Sequence, residues 1–258
     1  MKTALTRLAC LVIAGFFLAS CAKQSSTPTF VMGLDDSFPP MGYRNADNEI
    51  VGYDVDLARE VCSRLGMKLK LQPIDWNAKE MELNSNKIDC IWNGFTMTPE
   101  RKEAMLFTPP YLKNAQVLVV RADSEYKTLA GLAGKKIGTQ AGSSGVNAIE
   151  KAPDFKASLG GVVEYKEYLT ALMDLESKGI DAIVMDLIVA QDNIKRSGKP
   201  FEILHETLGG EEYGIGFRKD NTELMQKVWS TLLAMANDGT VAKISENWFS
   251  DDISVIGK

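Results

Sequence analysis

Apolar and polar positions change period repeatedly along the chain. Phe30-Val31-Met32-Gly33-Leu34 reads as a short strand, followed by a Pro39-Pro40 loop and a second extended stretch at 49–53. From Asp54 the period becomes helical: Val55, Leu57, Ala58, Val61, Cys62 and Leu65 share one face, and Gly66 stops the helix as the residue after its last turn. A strand at 68–71, a helix at 78–85, a strand at 88–92, a helix from Pro99 and a strand at 116–120 continue the alternation. After Arg121 the rhythm restarts with strand 136–139, helix 143–151, strand 162–165, helix 169–177, strand 181–185 and helix 187–196. An amphipathic helix over 221–237 and a shorter one over 242–248 end the chain. Strands alternating with helices at this spacing predict an α/β fold with mainly parallel sheets.

One pattern occurs twice. Leu83-x-Ser85-x-x-Ile88-Asp89-x-Ile91 returns as Leu175-x-Ser177-x-x-Ile180-Asp181-x-Ile183, a helix end, a turn and a strand start. Two lobes of like architecture account for it; a chance recurrence of a common α/β unit is the alternative.

The first residues follow another logic. Lys2 and Arg7 precede an apolar and small-residue run from Leu8 to Ala19, a signal-peptide pattern too short for a stable membrane span. Leu18-Ala19-Ser20-Cys21 resembles the lipobox of bacterial lipoproteins, which predicts cleavage after residue 20, a lipid-modified Cys21 (diacylglycerol and palmitate), and a polar tether over 21–29. An ordinary signal peptide with an incidental cysteine is the alternative. The mature chain is then exported and held on the cell membrane, facing the periplasm or the outer surface. Of the four cysteines only Cys62 and Cys90 remain available, each inside an apolar pattern that favours buried free thiols over a bridge.

Composition narrows the chemistry. The 258 residues are 45% hydrophobic and 24% charged, as in soluble globular proteins of one or two domains. The formal charge is −5, and losing Lys2 and Arg7 takes it to −7; with no long basic run, nucleic acid is excluded as a natural partner. A single histidine, His205, in the strand-like Phe201-Glu202-Ile203-Leu204-His205, rules out multi-histidine metal centres. No metal or cofactor is expected.

Ligands of open α/β sheets bind beyond the carboxyl ends of the strands, and both copies of the repeat run into unusual residues there. The first is followed by Asn93-Gly94-Phe95-Thr96-Met97-Thr98-Pro99-Glu100-Arg101, the second by Met185-Asp186. Thr98 and Pro99 start a helix with Arg101 in its first turn, where a cation opposes the helix dipole. Arg101 therefore suits an anion, its fork matching a carboxylate, although Glu100-Arg101-Lys102-Glu103 also reads as a surface charge run. On the other half, Gln140-Ala141-Gly142-Ser143-Ser144-Gly145 precedes a helix and offers backbone N–H groups to an anion, or simply caps the helix. Asp186 serves either as an N-cap or as a carboxylate for an ammonium group. Together these groups describe a clamp for a zwitterion, with Phe38 and Trp76 at strand exits either sandwiching a side chain or packing in the core.

Gly52-Tyr53-Asp54-Val55-Asp56-Leu57-Ala58, the Asn93–Arg101 stretch with Lys102, and Tyr213-Gly214-Ile215-Gly216-Phe217 together resemble the extracellular solute-binding proteins of polar amino-acid ABC transporters, bacterial family 3, over residues 30–250. The resemblance implies a two-lobe, periplasmic-binding-protein-like (type II) fold with discontinuous lobes: 30–112 plus 213–258, and 113–212, joined by a two-segment hinge. It implies a monomer that binds a polar L-amino acid, catalyses nothing, and delivers its ligand to an ABC-transporter permease. Carried over by position, Arg101 and the backbone at Thr96 and Ser144 hold the carboxylate. Asp186, the Thr96 hydroxyl and a carbonyl at Asn93 or Gly94 hold the ammonium. Phe38 and Trp76 flank the side chain, Asp35 lies at its far end, and Gln140, Ser143 and Ser144 line the second lobe's side. Asn93 stands where the family usually has a small residue. Asp35 beside Asp36 suits lysine or arginine but equally a glutamine amide, and a cystine-like ligand stays open. Two other activities remain compatible with the scaffold: a cyclohexadienyl-dehydratase-like enzyme and a ligand-sensing module acting with a separate receptor chain. A hydrolase is disfavoured, because Gly142-Ser143-Ser144-Gly145 is no nucleophile elbow and His205 sits on another element.

Overall fold

The computed structural model describes residues 27–258; the leader, Cys21 and most of the tether lie outside them. Chain order gives strands β1 (Thr29–Leu34), β2 (Ser37–Phe38), β3 (Gly42–Arg44), β4 (Ile50–Val51), β5 (Lys68–Pro73), β6 (Cys90–Ile91), β7 (Leu106–Phe107) and β8 (Leu112–Arg121). There follow β9 (Lys136–Gln140), β10 (Gly161–Tyr165), β11 (Ala182–Asp186), β12 (Phe201–Tyr213) and β13 (Gly216–Phe217). The helices are α1 (Tyr53–Leu65), α2 (Lys79–Asn84), α3 (Pro99–Ala104), α4 (Ser144–Glu150), α5 (Pro153–Ser158), α6 (Tyr168–Glu176), α7 (Leu187–Ser197), α8 (Thr222–Asn237) and α9 (Thr240–Phe249).

Two five-stranded sheets carry the molecule, ordered β5-β1-β6-β13-β7 and β10-β9-β11-β8-β12. In each, the first three strands pair parallel, the fourth runs against them, and the fifth pairs antiparallel with the fourth and so runs with the first three; the sheets are mainly parallel, as the alternation predicts, with one reversed strand each. The chain enters the second sheet on β8 and leaves it on β12, and these two strands pair antiparallel from Leu112↔Tyr213 through Asn114↔Glu211. That ribbon joins the two lobes.

The sequence repeat is structural. β6 and β11 occupy the middle of their sheets, and the repeated aspartates do the same work. Asp89 Oδ2 accepts the Val31 N–H at 2.7 Å and Asp181 Oδ2 accepts the Lys136 N–H at 2.9 Å. The repeated isoleucines, Ile88 and Ile180, press on Gly33 and Gly138, where an added Cβ would collide with them. Each lobe thus starts its central strand with the same pin.

α1 follows the predicted apolar face, burying Val55, Leu57, Ala58, Val61 and Cys62, and Gly66 closes it in the left-handed conformation. Elsewhere local structure departs from the pattern. The 78–85 helix is a 3-10 turn over Trp76–Ala78 continued by α2, and the 88–92 strand pairs only at Cys90–Ile91. α5, opened by Pro153, buries no residue and so leaves no apolar periodicity to read. Cys62 and Cys90 are both buried and free. Among the described residues no helix is long and apolar enough to cross a membrane.

Candidate functional site

The carboxyl ends of the parallel strands of both sheets meet. Asp35 follows β1, Asn93 and Gly94 follow β6, Gln140 ends β9 and Asp186 ends β11. Phe38, Trp76, Gly94, Thr96, Arg101, Gln140, Ser143, Ser144 and Asp186 line one enclosed space between the lobes. Asp35 and Asn93 stand behind it: the Asn93 Oδ1 accepts the Asp35 N–H at 3.0 Å, fixing the turn after β1. All eleven residues singled out in the sequence therefore belong to one neighbourhood, nine of them on the cavity wall.

The lobes touch through these side chains. Thr96 Oγ1 and Ser144 Oγ are 3.0 Å apart. Gln140 Nε2 donates to Asp35 Oδ2 at 2.7 Å, and Arg101 Nη2 donates to the Gly142 carbonyl at 3.0 Å. The Phe38 and Tyr168 rings lie 6.0 Å apart. The space left is about 10 Å³, the room of one water, so an organic ligand enters only when these cross-lobe contacts part.

Arg101 is buried, not a member of a surface charge run. Thr98 caps α3 by accepting the Arg101 N–H at 3.2 Å, which turns the side chain inward. There Nη1 donates to the Thr96 carbonyl at 3.0 Å and the guanidinium lies 4.5 Å from the Phe95 ring centre. Burial pushes its pKa below the ordinary arginine value.

Asp186 sits at the N-terminus of α7 but makes no capping bond; the Asn114 Oδ1 takes the Ile188 N–H at 3.3 Å instead. The carboxylate accepts from Tyr213 Oη at 2.7 Å and Asn114 Nδ2 at 2.8 Å, both on Oδ1, so Oδ2 keeps its accepting capacity. Burial, then the charge of Glu211, pushes its pKa well above the usual carboxylate range. A buried acid in that position is stabilised by a cation. Asp35, also buried, is pushed up to about 6 by burial, against the Gln140 and Ser37 hydrogen bonds.

At the helix α4 entry, Ser143 caps by accepting the Gly145 N–H at 3.2 Å, so only part of the small-residue stretch has backbone donors to spare. Beyond Trp76 a second cavity of about 250 Å³ is lined by Asp35, Asp36, Asp75 and Glu167 with Lys166, and by Pro73, Ile74 and Trp76.

Several residues of this neighbourhood were not singled out as site residues in the sequence. Glu211 accepts from Asn114 Nδ2 at 2.6 Å and Gln116 Nε2 at 2.9 Å, and Gln116 reaches Ser144 Oγ at 3.1 Å. These come from the joining ribbon, where isolated polar residues look like any exposed strand. Asp54, inside the Gly52-Tyr53-Asp54 motif, holds the Gly94 N–H at 2.7 Å and the Tyr111 hydroxyl at 2.8 Å; an acid in the first turn of an apolar helix face was its visible sign. Among the described residues no cluster of His, Cys, Asp and Glu suits a metal ion.

The sequence matches the bacterial extracellular solute-binding proteins, family 3, over residues 30–251. It is 32% identical to the ABC transporter arginine-binding protein 1 of Escherichia coli K12 over 93% of this chain and 98% of that protein. It is 29% identical to the L-cystine-binding protein TcyJ of the same organism over 96% and 94%. Its fold superposes with a TM-score of 0.86 on a substrate-binding protein of an ABC uptake transporter from Streptococcus pneumoniae, solved with bound histidine, at 34% identity over 88% of this chain and 94% of that one.

Proposed function

Because the chain belongs to the bacterial extracellular solute-binding proteins, family 3, we propose that it takes a polar L-amino acid between its lobes and hands it to the permease of an ABC transporter. It performs no chemical step. Arg101, with backbone donors at Thr96 and Ser144, anchors the α-carboxylate; Asp186, the Thr96 hydroxyl and the Gly94 carbonyl take the α-ammonium; Phe38 and Trp76 flank the side chain. The observation that carries this is the meeting, on one cavity wall, of a buried guanidinium from the first lobe and a buried carboxylate from the second.

A ligand that contacts both lobes stabilises the closed form by exactly the contacts it lacks when they are apart, and that difference drives closure. The side chain is directed past Asp35 toward the cavity beyond Trp76, which is lined by four acidic residues, of which Asp36 is paired with Arg44, and by Lys166. This charge balance favours a basic side chain over an amide, in keeping with the arginine-binding relative. Export with a lipid on Cys21 follows from the leader sequence and makes the protein membrane-tethered.

Thermal-shift screening against the twenty amino acids and L-cystine tests the assignment. A ligand that binds the native state raises the melting temperature by mass action. L-Arginine is expected to give the largest shift, and a flat panel would overturn amino-acid binding.

A further inference from the structure

Asp186 stands where a helix cap acts, and does not cap. Its backbone, at φ −65° and ψ 132°, has the extended conformation of an N-cap residue, and α7 begins at the next residue. An aspartate there ordinarily folds back to accept the N–H two or three residues on. Asp186 makes no such bond. The Ile188 N–H, one of the two it would take, goes to Asn114 Oδ1 at 3.3 Å. A side chain from the neighbouring strand β8 thus caps α7 in place of the helix's own N-cap residue.

The other end of the same amide holds the carboxylate it has relieved. Asn114 Nδ2 donates to Asp186 Oδ1 at 2.8 Å and to Glu211 Oε1 at 2.6 Å. The buried amide has one orientation open to it: turned over, its oxygen would face two carboxylates and its NH₂ group a backbone N–H. Asp186 pairs with Gln116, and Asn114 with Glu211, on the adjoining strands β11, β8 and β12 of one sheet. The arrangement therefore lies within that sheet and needs no contact from the first lobe.

We propose that Asn114 is a positioning residue for recognition of the ligand's ammonium: by capping α7 itself and donating to Asp186 Oδ1, it keeps the Asp186 carboxylate on the cleft wall with Oδ2 unspent. Glu211 accepts the second amide hydrogen and so fixes which way the amide faces. This rests on Asp186 as the ammonium acceptor. Without Asn114 the Ile188 N–H loses its cap, and Asp186, already in a capping backbone conformation, turns back to take it. The helix then keeps a cap while the cleft loses its carboxylate. A residue that only supported the fold would do the reverse, lowering stability with no preference for the ammonium end of the ligand.

The test is Asn114→Ala, with Asn114→Ser, which also lacks the amide, should the alanine variant fold poorly. Calorimetry compares L-arginine with 5-guanidinopentanoate, the same molecule without its α-ammonium. Asn114→Ala is expected to bind L-arginine about tenfold or more weakly than wild type, and 5-guanidinopentanoate within about threefold of it. Equal losses for both ligands, or none for L-arginine, would overturn the proposal. In an Asp186→Asn background the same change is expected to cost less than about threefold, since both residues act through one carboxylate; an undiminished cost there would also overturn it. A crystal structure of ligand-free Asn114→Ala is expected to show an Asp186 oxygen on the Ile188 N–H. Asp186 left in its present position would overturn the proposal without reference to any ligand. If wild type binds both ligands alike, the Asp186 assignment itself fails; if Asp186→Asn loses L-arginine and Asn114→Ala does not, the positioning role alone fails.

Discussion

Replacing Arg101 by alanine probes the carboxylate anchor where its energy is concentrated. The side chain is 7% exposed, and two of its N–H groups are already committed to the Thr96 and Gly142 carbonyls, so its orientation is fixed before a carboxylate arrives. Truncating one partner of a buried, hydrogen-bonded charge pair costs about 2–5 kcal/mol. At about 1.4 kcal/mol per factor of ten, that is a loss of roughly thirtyfold to several thousandfold in Kd. Preorientation places the expected value in the upper half of the range. Arg101→Lys, which keeps the charge but not the fork, is expected to fall between wild type and alanine. The fold is expected to survive, since the Thr98 cap of α3 is made to the Arg101 backbone and not to its side chain. Isothermal titration calorimetry with the strongest ligand of the thermal-shift panel reads the loss. A Kd within threefold of wild type, with an intact cooperative melt, would refute the anchor.

Three further outcomes follow from the buried acids. Asp186→Asn keeps an acceptor for Tyr213 and Asn114 while removing the charge, so calorimetry should show a loss of about 2–5 kcal/mol in binding while the melting temperature rises; tighter binding would contradict its role. Asp35, at about 6, is ionised at neutral pH and protonated below. L-Arginine affinity should therefore fall as pH drops through 6 in wild type and stay low and flat in Asp35→Asn, with glutamine little affected in either; a flat wild-type profile would count against it. Asp54 is pushed up to about 7 by burial, so the folded state keeps a proton that the unfolded chain releases above about 4. Its contribution to stability is full below that value and is lost as pH rises toward 7. Melting curves of Asp54→Asn should therefore show a smaller decline between pH 4 and 7 than wild type, and an equal decline would contradict the assignment.

What the sequence discloses here follows from how local each signal is. α1 could be read because its apolar residues fall on one face and a glycine ends it. The Leu-x-Ser-x-x-Ile-Asp repeat could be read because its aspartates and isoleucines serve short-range geometry that both lobes share. The residues proposed for the clamp could be singled out because strand ends concentrate chemistry and the family motifs mark them, and nine of them line one cavity. Asn114, Gln116 and Glu211 could not be, since their roles arise from pairing β8 with β12, nearly a hundred residues apart in sequence. Lys79, buried and bonded to the Trp76 and Gly142 carbonyls, escaped for a like reason: on its own turn it looks like a helix-surface lysine. The one reversed strand of each sheet, β8 or β13, likewise depends on the chain crossing between lobes, which no local pattern records.

A crystal structure of the protein with the amino acid that most raises its melting temperature tests the central claim most directly. The account predicts the ligand's carboxylate oxygens at about 2.7–2.9 Å from the Arg101 guanidinium and its ammonium on Asp186, with the side chain between Phe38 and Trp76. A ligand seated elsewhere, or one whose carboxylate and ammonium ends touch neither residue, would contradict it.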